Sequence, residues 1–496
     1  MSLVLSTLIF LPLLGAPVIY VATRYNRKAG ILAAAALSVA VFLISAYVFW
    51  AVYSNPPAGG QFSLVEKHGW LNFAFIGLDY LVGVDGLSAP LILVSGLLTT
   101  FVIIGSRSLI DHHEAEYYAL LFLFEGSIMG VFTSLNLILF YIFWELVLIP
   151  MFFFIGIWGG PRRKYAAMKF ILFTYAGSTI MLLGFLYFYF GMSTPSFDIP
   201  TIQLMLANHQ IPTSLEYLPL LASFIGFGVK LPVFPFHTWL PDAHVEAPAP
   251  ISVLLAGVLL KMGGYGFLRI SLGIFPGASS TYAWVFIAVA VFSMFYGAIV
   301  ALLQRDLKKM IAFTSINHMG FVLLGGYATV VTGSALGVQG AILQMFAHAL
   351  AVGSLFMLSG YIHHQAGTRE IPLLKGMRFT MPRTAAILVI ASGAAMAMPP
   401  FANFLAEFMV LAAGISAYNV IALAVLVPVI TAGYFLWMIK RTVLSPPEGT
   451  GPFHDLATSD FAALAAYFVP LVLLLVFSFL ILTPAAPIAH FLGGGG

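Results

Sequence analysis

The sequence predicts an all-α polytopic membrane protein, on two observations. The 496-residue chain is 61% hydrophobic and only 8% charged, with a mean hydropathy of +1.01. Apolar runs of about 20 residues, the length that crosses a bilayer, recur from one end of the chain to the other. A soluble domain of this length does not have such a composition.

The apolar runs define about 14 predicted membrane spans. They are residues 3–23, 30–53, 84–105, 116–134, 136–157, 166–190, 217–238, 250–273, 282–303, 309–331, 336–362, 385–415, 418–440 and 461–485. Basic residues follow the first run instead of preceding it, which is the wrong order for a cleaved signal peptide, so we expect a retained first helix. We divide the chain into a three-helix segment (1–115), a first five-helix repeat (116–273), a second five-helix repeat (282–440) and a C-terminal transmembrane helix (461–485).

The distribution of charge predicts how the chain is oriented. Most of the 21 basic residues lie in or beside loops that follow odd-numbered spans, which places those loops in the cytoplasm and both termini on the non-cytoplasmic side. Topology accounts for these basic residues without nucleic-acid binding. The chain has no cysteine, which excludes Cys-ligated iron–sulfur centres and disulfides.

Two predicted spans are interrupted by proline. Five helices per repeat invert the second repeat relative to the first, as in many transporters. The seventh span contains Lys230, Pro232 and Pro235, and the twelfth contains Pro399 and Pro400 ahead of Glu407. Because proline removes a backbone donor and disfavours helix at the preceding residue, we expect broken seventh and twelfth helices. Matched interruptions in two halves indicate a transport site.

Among the ionisable side chains inside predicted spans, five lie in stretches that are otherwise typical of membrane helix. A charge at the bilayer centre costs about 2.5–3.5 kcal/mol on insertion scales, so such residues indicate a path for protons or small cations. They are Glu125, Glu145, Lys230, Lys261 and Glu407.

The order of these groups suggests a relay. We expect Glu145 and Lys230 to form an ion pair, because each charge offsets the desolvation of the other. Lys261 has no partner nearby in sequence, and desolvation disfavours the charged form of such a lysine, so it can bind and release a proton. Glu407 then takes the far end of the series.

Three further groups keep two interpretations each. His318 and His348 are relay candidates between Lys261 and Glu407, because histidine titrates near neutrality, and helix–helix hydrogen bonding is the alternative. Glu125 is either a second partner for the lysines or a structural acid.

A last group lies near predicted span ends. Lys169 can extend its amine to the membrane surface, and Asp85 is placed to cap the third span. Four residues form either a metal site or a polar inlet that orders a loop: His237, Asp242, His244 and Glu246.

Several long motifs resemble those of the proton-conducting antiporter family. That family comprises the large membrane subunits of respiratory complex I, its photosynthetic relatives and the multisubunit Na⁺/H⁺ antiporters. The motifs are FHTWLPDAH at 236–244, LAGVLLKMGGYG at 255–266, FWEL at 143–146, IWGGPRR at 157–163 and VDGLS at 84–88. The resemblance covers nearly the whole chain and is greatest to the M-type subunit, which carries glutamate in the twelfth helix where other types carry lysine.

The resemblance implies a function and its setting. It implies a proton translocase subunit of an NADH or ferredoxin quinone oxidoreductase, in a prokaryotic inner or thylakoid membrane, with Glu145–Lys230 as the ion pair, Lys261 as the central lysine and Glu407 as the terminal residue. No cofactor is expected in this chain; iron–sulfur, flavin and quinone belong to partner subunits, and other membrane subunits and lipid surround it. The alternatives are a subunit of a multisubunit cation/proton antiporter and a structural spacer.

Overall fold

The computed structural model describes residues 3–73, 76–447 and 454–494, and helices dominate them. In chain order they are α1 (Val4–Tyr25), α2 (Arg27–Ser54), α3 (Ser88–Ser108), α4 (Glu114–Thr133), α5 (Leu137–Trp158), α6 (Arg163–Gly191), α7 (Ile199–Ala207), α8 (Tyr217–Lys230), α9 (Trp239–Glu246), α10 (Ala249–Leu272), α11 (Pro276–Leu302), α12 (Leu307–Thr332), α13 (Leu336–Ala366), α14 (Pro382–Ala395), α15 (Ala402–Ala417), α16 (Asn419–Thr442), α17 (Thr458–Val476) and α18 (Phe479–Leu492). A four-residue helix, Met377–Thr380, precedes α14.

These helices confirm a membrane protein whose spanning elements are helical. Eleven helices of the described residues are long and apolar enough to cross a bilayer, and α14, α15 and α18 are shorter apolar helices. The 26-residue α12 is long enough as well, but it is more polar, with Thr314, Asn317 and His318 buried along it.

Helices α8 and α9 are separated by residues 231–238, and α14 and α15 by residues 396–401, where the prolines lie. The last predicted span is also interrupted, between α17 and α18.

A β-hairpin was missed by the sequence analysis, which expected only helices. Strands β1 (Ser63–Phe73) and β2 (Ile76–Val84) pair antiparallel in the link before α3. Glu66 of β1 is buried and accepts hydrogen bonds from Leu5 N (2.8 Å), Ser6 N (3.1 Å) and Ser6 Oγ (2.5 Å). Because the first backbone N–H groups of a helix lack intrahelical partners, this carboxylate caps α1 from outside it.

The hairpin marks one face of the protein, here called the hairpin face. Asp198 joins the link before α7 to this region, bonding to Asn136 Nδ2 (2.7 Å) and to Lys67 Nζ (3.1 Å). The start of α1 lies here through Glu66, and the end of α18 lies here because Phe491 packs against Gly59. The first and the last described helices therefore have their outer ends on the hairpin face.

The opposite face, here called the basic face, carries the loops rich in arginine and lysine. Arg27 binds Glu114 through two nitrogens, at 2.5 and 2.6 Å. Arg369 Nε lies 2.6 Å from Asp306 Oδ2 and ties the end of α13 to the start of α12. These pairs connect neighbouring helix ends where water is accessible.

The three central helices differ from those at the edge of the bundle. In the membrane-spanning parts of α10 and α13, 100% of the residues are buried, whereas in those of α1 and α2 the share is 33%. Almost every residue of α12 is buried as well. A polar side chain in the middle of α10, α12 or α13 is consequently shielded from lipid and can face another.

Candidate functional site

Lys261 lies at the centre of the buried helices and contacts a histidine. Its amine is 2.6 Å from His348 Nδ1 on α13 and donates a hydrogen bond to the Ala256 carbonyl at 2.5 Å. Ala256 belongs to a π-helical turn, Leu255–Leu259, and such turns are frequent at functional sites. The lysine, which had no partner nearby in sequence, has one across the helix interface.

The polar series continues from His348 to Glu407. The rings of His348 and His318 are perpendicular, with centroids 5.2 Å apart. His318 Nε2 approaches Glu407 Oε1 to 3.4 Å, and Gln344 Nε2 donates to the same oxygen at 3.4 Å. Four predicted site residues thus lie in one buried row, Lys261, His348, His318 and Glu407, drawn from α10, α13, α12 and α15.

Lys230 does not form the predicted direct ion pair with Glu145. Its amine lies 4.4 Å from the ring centroid of Trp144 and donates to the Trp144 carbonyl at 3.5 Å. No carboxylate of the described residues is within 4.0 Å of it. Successive helical residues are turned by about 100°, so Trp144 faces Lys230 and Glu145 does not.

Glu145 faces α6 instead. It lies beside Ser178 of that helix and Tyr141 of its own, while remaining within electrostatic range of Lys230. Its side chain is only half-buried. The two predicted partners therefore interact across a gap that Trp144 occupies.

The break after α8 packs directly on α10. A Cβ at Gly263 would lie 2.5 Å from Leu231 N and 2.8 Å from Phe227 O, so only glycine permits this approach. In the described part of the chain, no hydrogen bond or ion pair joins Lys230 to Lys261. The site therefore has two parts, Glu145 with Lys230 and the row from Lys261 to Glu407, with the glycine contact between them.

Glu125 stands apart from both parts. It is 1% exposed on α4, and neither carboxyl oxygen has a hydrogen-bond partner in the described residues. It contacts neither lysine, so the structure does not bring it into the row.

A buried ion pair was missed by the sequence analysis. Arg269 of α10 binds Asp85 at 2.5 Å, with side chains 1% and 2% exposed. The predicted capping role of Asp85 is confirmed, because its Oδ1 accepts from Leu87 N (3.0 Å) and Ser88 N (3.1 Å). Arg269 was itself a charge inside a predicted span, and that signal could have identified it.

The four residues 237, 242, 244 and 246 do not converge on one point. Asp242 pairs with Lys169 at 2.7 Å, and Glu246 accepts from Arg162 N at 2.8 Å. His244 stacks on Phe356. In the ranges that the structure describes, no group of three or more metal-ligating side chains is placed to hold a metal. Glu246 orders the loop between α5 and α6, as one of the interpretations expected, whereas Asp242 binds α6 itself.

A polar cavity opens near these residues on the basic face. It has a volume of about 290 Å³ and is lined in part by Glu246, Lys308, His363 and Arg369. Lys308 is 4% exposed and donates to the Ala247 carbonyl. Behind the cavity, His244 is fully buried, and neither of its ring nitrogens has a hydrogen-bond partner among the residues that the structure describes. It is within electrostatic range of both Lys308 and Lys261.

Comparisons with known proteins agree with this arrangement. Residues 134–432 match the family model of NADH:quinone oxidoreductase/Mrp antiporter membrane proteins. NADH-quinone oxidoreductase subunit M of Rickettsia prowazekii is 38% identical over 96% of this chain and 94% of its own length. NAD(P)H-quinone oxidoreductase chain 4 2 of Thermosynechococcus vestitus is 41% identical over 90% of this chain and 83% of its own length.

The likeness extends to three dimensions. A chain of respiratory complex I from Thermus thermophilus superimposes with a TM-score of 0.87 at 27% identity, covering 99% of this chain and 100% of that chain. The chain belongs to the NADH:quinone oxidoreductase/Mrp antiporter family, as an antiporter-like membrane subunit of the subunit M type.

Proposed function

We propose that this chain moves protons across a membrane as one module of a quinone-reducing complex I-type enzyme, through the row Lys261, His348, His318 and Glu407. The observation that carries the proposal is the row itself, in which Lys261 lies 2.6 Å from His348, the two histidine rings lie 5.2 Å apart, and His318 lies 3.4 Å from Glu407. Amines, imidazoles and carboxyls can all exchange protons, and a proton transfer needs partners within hydrogen-bond reach or one water apart.

Glu145 and Lys230 are proposed as the control element of the same path. They interact at long range past Trp144, so a modest rotation of α5 or α8 changes how well the lysine charge is compensated. Moving one charge against 100 mV takes about 2.3 kcal/mol, and one pKa unit corresponds to about 1.4 kcal/mol, so a change in such a pair is of the required size.

The polar cavity on the basic face is the proposed access point. Lys308 lines it, and His244 is within electrostatic range of both Lys308 and Lys261. Among the described residues, neither ring nitrogen of His244 has a hydrogen-bond partner. Glu407 is then the group through which protons leave the row or pass to a neighbour.

We also propose the finer architecture of 14 spans in two inverted five-helix repeats with broken seventh and twelfth spans. Counting α8 with α9, α14 with α15 and α17 with α18 as single crossings, and leaving out the nine-residue α7, supports that number. The first repeat begins with α4 at the basic face, and the second begins with α11 at the hairpin face, which is the relation expected of inverted repeats. By the positive-inside rule we place the basic face in the cytoplasm and both termini on the non-cytoplasmic side.

Partners and cofactors follow from the same proposal. Flavin, iron–sulfur clusters and quinone belong to other subunits, and an energy-coupling membrane is the setting. The half-buried Glu145 and Tyr175, which is 58% exposed, both lie near Tyr141 where α5 meets α6. A carboxylate facing lipid is costly, so a neighbouring membrane subunit is expected to cover this surface.

The test is the number of protons moved per electron in proteoliposomes containing the whole enzyme. We expect Lys261→Ala and Glu407→Gln to lower that ratio strongly while the enzyme still assembles. Lys309→Ala and Glu370→Gln are matched controls, because both residues are exposed at the basic face. Normal pumping in the relay variants would leave only a structural role for these charges.

The antiporter alternative has its own test. Its prediction is cation/proton exchange without electron transfer and no copurification with peripheral iron–sulfur subunits. Identity of 38–41% to quinone oxidoreductase subunits over at least 90% of the chain favours the redox enzyme.

A further inference from the structure

An ion pair lies between the central lysine and the hairpin face. Arg269 follows Lys261 by eight residues on α10, which is about 12 Å along a helix axis. Its terminal nitrogen contacts Asp85 at 2.5 Å, in the loop between β2 and α3. Asp85 belongs to the hairpin side of the protein, so the guanidinium stands between Lys261 and that face.

Aromatic and polar groups close the space around this pair. Arg269 Nε donates to the Tyr265 hydroxyl at 3.3 Å, and that hydroxyl donates to the Phe132 carbonyl at 3.4 Å. The guanidinium carbon lies 5.0 Å from the ring centroid of Phe62, in the segment leading into β1. The space between Lys261 and the hairpin face is thus filled first by Tyr265 and then by Arg269, and Phe62 covers the guanidinium.

A buried arginine at this place has a particular consequence for protons. Its guanidinium stays protonated in proteins, so it cannot take up a proton and pass it on. A fixed positive charge inside a pore also repels cations, which is one way in which channels exclude protons. A lysine or histidine in the same position could release its proton and pass it on.

We propose that the Asp85–Arg269 pair is a proton seal, which blocks escape from Lys261 to the hairpin face and so directs protons sideways to His348. The inference rests on the proposed relay, since it assumes that Lys261 carries a proton. It assigns the pair a role in coupling rather than in the transfer itself.

The two halves of the pair are predicted to behave differently. Arg269→Gln removes the fixed positive charge and leaves the Asp85 carboxyl, a proton acceptor, facing the space between Lys261 and the hairpin face. Asp85→Asn keeps the guanidinium and removes the acceptor. Both variants lose the ion pair, so a purely structural role predicts equal damage from the two.

The experiment measures passive proton leak in proteoliposomes containing the whole enzyme, under an imposed membrane potential and without redox substrate. We expect a several-fold higher leak with Arg269→Gln and a leak near that of the wild type with Asp85→Asn. Adding Lys261→Ala to Arg269→Gln should return the leak to the wild-type level, because the escaping proton comes from that lysine.

Three results overturn the proposal: equal leaks in the two single variants, tight vesicles with Arg269→Gln, or a leak that persists in the double variant. If Arg269→Gln fails to assemble, Arg269→Lys takes its place, since its ammonium keeps the pair but can release a proton. A proton leak no higher than that of the wild type with Arg269→Lys would overturn the proposal as well. A failed relay would appear separately, as normal pumping in Lys261→Ala.

Discussion

Gly263→Ala should disturb proton pumping through a steric effect alone. The added methyl group would lie 2.5 Å from Leu231 N, 2.8 Å from Phe227 O and 2.9 Å from Leu231 Cα. All three atoms are backbone, so no side chain can rotate away. Ordinary contact begins at 3.4 Å, and α10 must therefore move away from the break after Lys230 by about 0.9 Å.

The expected energy and functional effects differ in size. Overpacking costs about 1–3 kcal/mol, and the better helix propensity of alanine returns about 1 kcal/mol. We expect a net loss of stability of about 0–2 kcal/mol, which the assembled enzyme tolerates. The displacement acts at the junction of the two parts of the site. We therefore expect a clear fall in the number of protons pumped per electron even where the loss of stability is small.

The assay pairs the pumping ratio with the melting temperature of the purified enzyme. Gly433→Ala in α16 is the control, because a Cβ there meets nothing within 4 Å. It should gain helix propensity and pump normally. A Gly263→Ala enzyme that pumps and melts like the wild type would refute the argument that this close backbone contact sets the path.

Three other predictions test separate features. His348→Leu should abolish pumping while leaving electron transfer measurable with an uncoupler present, because Lys261 loses its 2.6 Å partner; unchanged pumping would exclude this histidine. Glu66→Gln should lower stability by about 1–2 kcal/mol, since charge-assisted bonds at the start of α1 become neutral, and a melting temperature equal to the wild type would contradict the cap. Partial burial alone would raise the pKa of Asp455, but backbone N–H groups of Arg383, Thr384 and Leu456 lower it overall. Its stabilisation of α14 is present above the unfolded pKa and is lost as pH falls through the folded one. The hydrogen-exchange protection factor at the start of α14 should therefore fall in acid, and it should not change with pH in this way in Asp455→Asn.

The helices were predictable because length and hydropathy are local properties of the sequence. The hairpin was not, because Glu66, Lys67 and Asp79 make its strands resemble a polar link. Their partners lie far along the chain: Glu66 caps a helix about sixty residues earlier, and Lys67 reaches Asp198. A charged residue that caps a distant helix leaves no periodic pattern in the sequence around it.

The candidate site was predictable in composition but not in contacts. Lysine, glutamate and histidine inside apolar spans are visible by residue type alone. Which of them meet depends on the rotation of each helix about its axis, and there Trp144 rather than Glu145 faces Lys230. Conversely, the 2.6 Å contact between Lys261 and His348 joins residues 87 positions apart.

The choice between lysine and arginine along α10 follows from what each can do with a proton. Among the described residues Lys261 has no carboxylate partner, and its contacts are a histidine and a carbonyl, so loss of its proton breaks no ion pair there. Arg269, two turns away, is held by a carboxylate and cannot lose its proton under any ordinary condition. Under the proposed relay and seal, one helix carries an exchangeable cation where a proton passes and a permanent one where it does not. Exchanging the two residue types, Lys261→Arg or Arg269→Lys, should produce opposite failures, a blocked path in the first enzyme and a leaking one in the second.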